Sequence, residues 1–72
     1  MKQDKTIFKQ LGARIRRLRE RAGYSQSVLA ERASIHKNYL GGIERGERNP
    51  AVRNLARIAD ALEVKVLDLF RM

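Results

Sequence analysis

Arginine is where this sequence concentrates its chemistry. Arg14, Arg16, Arg17, Arg19 and Arg21 crowd one segment, opposed only by Glu20, and Arg45, Arg48, Arg53 and Arg57 crowd a second, opposed only by Glu47. Over the whole chain sixteen basic residues face eight acidic ones, a formal charge of +8. An excess of that size sets up a field that draws in polyanions. Arginine-rich surfaces also serve solubility alone, so charge by itself favours nucleic acid only slightly over a plain solvated coat. The equipment for bond-making chemistry is missing. There is one His, no Cys, no pair of acids on a common face and no glycine-rich phosphate loop. Without Cys there are no disulfides and no thiolate metal sites. The expectation is a binding protein with no metal or cofactor, not an enzyme.

The elements that must hold these side chains are helices. A chain of 72 residues makes one domain the default, and a domain this small buries only about 60% of the surface its unfolded chain exposes. Leu11, Ile15, Leu18 and Ala22 recur at the spacing of an amphipathic helix, with Thr6 as its N-cap and Gly23 as its stop. Ser25 caps a second helix that carries Val28, Leu29, Ala30 and Ala33. A third runs from about Lys37 to Arg45 and ends at Gly46. Asn49-Pro50 opens a fourth, Asn49 capping and Pro50 in the first turn, with Val52, Leu55, Ile58, Ala59 and Leu62 as its apolar positions. A short last helix around Val66 to Phe70 closes the chain. No strand-like alternation, internal repeat, low-complexity run or linker interrupts the series. The expected fold class is therefore all-α, a compact five-helix single domain over 1–72. The start, MKQDKTIFKQ, is charged and lacks the apolar core of a signal peptide. No apolar run approaches the roughly 18 residues a membrane span needs, so a cytoplasmic protein with no membrane partner is expected.

Residues 26–44 hold the most specific pattern. Leu29, Ala30, Ala33, Ile35, Leu40 and Ile43 are its apolar positions. The small Ala30 lets a following helix cross closely, Ile35 plugs the turn, and Leu40 and Ile43 form the inward stripe of the second helix. Two helices at a steep angle with a tight turn between them are a helix-turn-helix, here about 25–45. The segment SQSVLAERASIHKNYLGGIERGERNP resembles the lambda-repressor and Cro type of helix-turn-helix transcriptional regulator. LRERAGYSQ before it and AVRNLARIADALEV after it extend the likeness over nearly the whole chain. The run NYLGGIERGERNP is similar to the controller proteins of restriction-modification systems, though short phage repressors share much of it. Two positions depart from the family. Ser34 stands where glycine is usual because the turn favours positive φ, a geometry serine adopts at some cost. His36 stands where a small capping residue is usual. Histidine is a weaker cap, and two roles remain open for it: that cap, or a contact to a phosphate.

The resemblance implies a sequence-specific regulator on a double-stranded DNA operator, with the helix at about 37–45 in the major groove. A helical wheel with Leu40 inward puts Asn38, Gly42 and Arg45 on the opposite face, flanked by Gly41 and Tyr39. The family's base contacts lie at the start of this helix, which here means Lys37 and Asn38. Lysine can donate to guanine O6 and N7, and asparagine can pair with adenine in bidentate fashion. Gln26 is implied as a phosphate contact at a helix N-terminus, with Arg45, Arg48 and Asn49 around the exit turn as further candidates. Tyr39 either touches a phosphate or thymine methyl or is partly packed. Glu44 is implied to pair with Arg19. Two adjacent glycines, Gly41 and Gly42, each cost a helix about 1 kcal/mol relative to alanine. Either the outward face simply tolerates them, or missing side chains let the backbone approach the groove wall.

Val64, Val66, Leu67, Leu69 and Phe70 are more apolar surface than a short terminal helix can bury, so a homodimer formed through about 62–72 is expected. No small-molecule effector is expected. The resemblance places the protein in a prokaryote or phage, in the cytoplasm, on nucleoid DNA when bound. A second class is an antitoxin, which binds a protein partner as well as its own operator, but the chain leaves little room for a separate toxin-binding region. A membrane-surface peptide is a third, and its single long apolar face is absent.

Overall fold

The computed structural model describes residues 4–71. Four α-helices follow one another, α1 Asp4–Arg21, α2 Gln26–Ala33, α3 Lys37–Glu44 and α4 Val52–Leu62, and a 3₁₀ helix, Val66–Phe70, closes the chain. All the described elements are helical, but the fifth is not an α-helix. Leu11, Ile15 and Leu18 from α1 meet Leu29, Ala30 and Ala33 from α2, Leu40 and Ile43 from α3, and Leu55, Ile58, Ala59 and Leu62 from α4 in one buried cluster. Three apolar residues assigned inward from spacing are not in it. Ala22 lies past the end of α1, and Val28 and Val52 are exposed on their helices.

Two expected caps are corrected. Thr6 lies inside α1, which reaches back to Asp4. At α4 the N-cap is Ala51, with no side-chain cap of its own, rather than Asn49. The hydroxyl of Tyr39 serves instead, accepting from the Ala51 N–H at 3.3 Å and from Asn54 Nδ2 at 3.1 Å. Pro50 is buried just before the helix. At the other end of α4, Glu63 takes the left-handed conformation at φ 59°, with no glycine to announce it.

Gly12 fixes the crossing of α1 over α3. A Cβ there would fall on the Ile43 carbonyl oxygen and within 2.6 Å of that of Glu44. Main-chain atoms cannot yield as a side chain can, so only glycine permits this approach.

The last turn alters the expected dimer surface. A 3₁₀ helix repeats every three residues, so side chains three apart share a face. Val66 and Leu69 accordingly turn inward, and Leu69 is wholly buried in the protomer core, while Val64 and Val66 are half-buried against it. Leu67 and Phe70 share the other face and stay 73% and 48% exposed. Arg14 clamps the turn to α1 through a hydrogen bond from Nε to the Asp68 carbonyl, 2.9 Å.

Candidate nucleic-acid interface

The turn between α2 and α3 rests on Ser34, at φ 59° and ψ 42°. The Ser34 N–H donates to the Glu31 carbonyl and the Ile35 N–H to the Ala30 carbonyl, at 3.1 and 3.0 Å. That is a Schellman closure, normally built on glycine. Both helices start from a side-chain cap. Ser25 Oγ accepts the Val28 N–H at 3.1 Å, and His36 Nδ1 accepts the Asn38 N–H at 3.0 Å. Of the two roles open to His36, the structure therefore gives it the cap. Because Nδ1 accepts, a neutral ring carries its proton on Nε2, which remains a donor.

A charged knot ties the start of α2 to the end of α3. Arg19 reaches Glu44 with two donors, Nε to Oε2 at 2.7 Å and Nη2 to Oε1 at 3.1 Å, and its Nη1 donates to the Tyr24 carbonyl at 2.9 Å. Gln26 Nε2 adds a third donor to Glu44, 2.9 Å to Oε1. The side chains are 11% exposed for Arg19 and 3% for Glu44. The hydrogen bond to Glu44 raises the Arg19 pKa further above its already high range; burial works against this, and the charge of Glu44 adds to it. The knot joins α1, α2 and α3. It also commits one N–H of the Gln26 amide inward and leaves the other for an outside acceptor.

In front of the knot is a cleft of about 540 Å³ lined by Arg16, Arg19, Ser25, Gln26, Ser27, Lys37, Glu44 and Arg45. It brings together Gln26, Lys37 and Arg45, three of the DNA contacts expected from the sequence, beside the Ser25 cap and the Arg19–Glu44 pair. Arg16, read from the sequence only as part of a basic cluster, and Ser27, given no role there, join them. Lys37 and Asn38 are exposed in the first turn of α3. Asn49 and Arg45 border a second hollow with Phe8, Lys9, Gly46 and Glu47. Arg45 Nε is 3.1 Å from Glu47 Oε1 in an exposed pair, the kind that contributes little to stability.

Tyr39 is half-buried against the core, its hydroxyl held by the start of α4. The packed role, one of its two readings, is thus in place.

Side chains lie over Gly41 and Gly42 of α3. Both residues are buried. A Cβ on Gly41 would lie 3.1 Å from Arg45 Nη1 and 3.8 Å from Gln26 Oε1, and one on Gly42 would lie 2.7 Å from Arg48 Cγ. The wheel gave the direction correctly, but arginines from the exit turn already lie over that face.

Residues 10–70 match the family model described as "Helix-turn-helix domain". The chain belongs to the helix-turn-helix domain family. It is 42% identical over 57 residues to the HTH-type transcriptional regulator SinR of Bacillus subtilis, an alignment covering 78% of this chain and 51% of SinR. It spans about half the length of the curated relatives it matches first. Among solved structures, the restriction-modification controller protein C.AhdI from Aeromonas hydrophila superposes with TM-score 0.87 and 38% identity, over 88% of this chain and 96% of C.AhdI. The crystal structure of the biofilm regulator SinR in complex with DNA superposes with TM-score 0.81 and 40% identity, over 85% of this chain and 98% of that one.

Proposed function

We propose that this helix-turn-helix domain acts as a sequence-specific transcriptional regulator, a homodimer on a pseudo-palindromic double-stranded DNA operator, with α3 in the major groove. The observation that carries this is the α2–turn–α3 unit, capped at both helix starts, with Lys37 and Asn38 exposed in the first turn of α3. The SinR complex with DNA, and the regulators among the relatives, support it. Lys37 and Asn38 then meet base edges. The free N–H of Gln26, the Nε2–H of His36, and Arg45 and Asn49 beside the exit turn meet phosphates. Leu67 and Phe70 join the protomers, placing two recognition helices roughly 34 Å apart. The site of action is the cytoplasm of a prokaryote, or of a phage-infected cell, and no small-molecule effector is invoked.

A band-shift on the DNA immediately upstream of its own gene, repeated across salt concentrations, tests the reading. If a dimer neutralises about six to eight phosphates, log K falls against log salt with a slope near −5 to −7. Gln26→Ala weakens all sequences alike, whereas Lys37→Ala or Asn38→Ala relaxes discrimination at particular base pairs. A slope near zero removes DNA as the main partner.

A further inference from the structure

Position 42 lies one helical turn beyond Asn38, on the face of α3 turned away from Leu40. No side chain grows from it, yet the space is filled. A Cβ at Gly42 would stand 2.7 Å from Cγ, 3.2 Å from Nε and 3.5 Å from Cδ of Arg48. The stem of Arg48 therefore runs back over the α3 backbone instead of trailing from the exit turn. Its guanidinium carbon sits 5.9 Å from the centroid of the Tyr39 ring, within cation–π range. That ring is itself fixed, because its hydroxyl accepts from Ala51 and Asn54 at the start of α4. Among the described residues no carboxylate pairs with Arg48, whereas Arg45 spends its Nε on Glu47. Arg48 keeps its whole donor fork.

We infer that Arg48 reads a guanine-bearing base pair from the seat Gly42 leaves open, so that Gly42 and Arg48 together determine specificity at one position of each half-site. The inference rests on the DNA-binding reading above. An arginine that only neutralised a phosphate would gain nothing from being laid along the recognition face. A planar fork held there presents two parallel donors, the complement of guanine O6 and N7. The fixed ring and the glycine seat limit the rotamers of a long side chain, which lowers the ordering cost of binding. Glycine is required because any Cβ meets Arg48 at Cγ, near the root of the side chain, where a tip movement cannot relieve the clash. Gly42 thus acquires a role that differs from close backbone approach.

Selection from a randomised double-stranded DNA library, followed by affinities for single-base variants of the enriched sequence, tests this with wild type, Arg48→Ala, Arg48→Lys, Gly42→Ala and the Gly42→Ala/Arg48→Ala double variant. Wild type is expected to enrich a guanine at one position per half-site. Arg48→Ala should lose discrimination there by roughly 5- to 150-fold, the value of one bidentate contact, while other positions keep theirs. Arg48→Lys should restore it only in part, since an ammonium can donate to O6 and N7 but lacks the planar fork that packs on the Tyr39 ring. Gly42→Ala should lose preference at the same position, and the double variant should lose no more than Arg48→Ala alone. If Arg48→Ala instead weakens every sequence equally and flattens the salt slope by about one, Arg48 is a phosphate contact and the inference fails while DNA binding stands. A wild type that enriches no sequence overturns both.

Discussion

Glu44, on the last turn of α3, is held by Arg19 from α1 through two hydrogen bonds of 2.7 and 3.1 Å. Desolvating both ions offsets much of their attraction, so the pair need not exceed an apolar packing in stability. Losing one partner is a different matter. Glu44→Ala leaves a mostly buried guanidinium uncompensated and should cost about 3 kcal/mol. Thermal or denaturant melts of Glu44→Ala, Arg19→Ala and the double variant should show a coupling within about 0.5–3 kcal/mol; additive effects would refute a working pair.

Ser34 and Glu63 both hold φ 59°, where a side chain costs roughly 1–2 kcal/mol. Both residues are exposed, so little contact is lost when the side chain goes. Ser34→Gly and Glu63→Gly should each raise the melting temperature, by the equivalent of about 1 kcal/mol. Unchanged or lower melting temperatures would mean the serine and glutamate contribute contacts that outweigh the strain.

Gly12→Ala should behave oppositely to an ordinary helix substitution. Alanine is favoured over glycine by up to about 1 kcal/mol in a helix interior, yet here its methyl meets two carbonyls of α3. A net loss of roughly 2 kcal/mol or more is expected from overpacking, read as a drop in the denaturant midpoint. Stabilisation would show that α1 and α3 can separate freely.

The dimer surface divides by residue. Leu67→Glu and Phe70→Glu should leave the fold intact and give monomers in sedimentation at tens of micromolar, because both side chains are exposed in the protomer. Leu69→Ala should cost about 2–5 kcal/mol in the protomer itself. A wild type that sediments as a monomer with and without DNA would rule this interface out.

Helices, their order and most of their inward stripes were legible because apolar spacing and caps such as Ser25 are local signals. Ser34 was legible as a left-handed turn through the family pattern. What sequence could not provide comes from contacts across distance. The hydroxyl of Tyr39 serves the start of α4 twelve residues on, where nothing nearby marks it as a cap. The wheel aimed Gly42 outward, but it carries no term for an arginine folding back from six residues later. Leu69 was assigned to an interface because five apolar residues exceeded what a short last helix can bury, and the 3₁₀ period brings it inward instead. Glu63 gave no sign at all, since composition offers glycine as the marker of positive φ and the chain does without one.

Arg14 and Arg19 lie five residues apart on α1, one tied to the closing 3₁₀ turn and the other to α3. At about 1.5 Å per residue, the span between those two attachments is roughly 7.5 Å of a single stiff rod. In a dimer joined through Leu67 and Phe70, the separation of the two reading heads is thus measured by a ruler without a hinge. One base pair inserted at an operator's centre turns its half-sites by about 35° relative to each other, and no flexible joint is available along this rod to take up the rotation. Tolerance for altered spacing would have to come from the DNA, by twisting or bending, and the sequence at the operator centre would then matter although no side chain touches it.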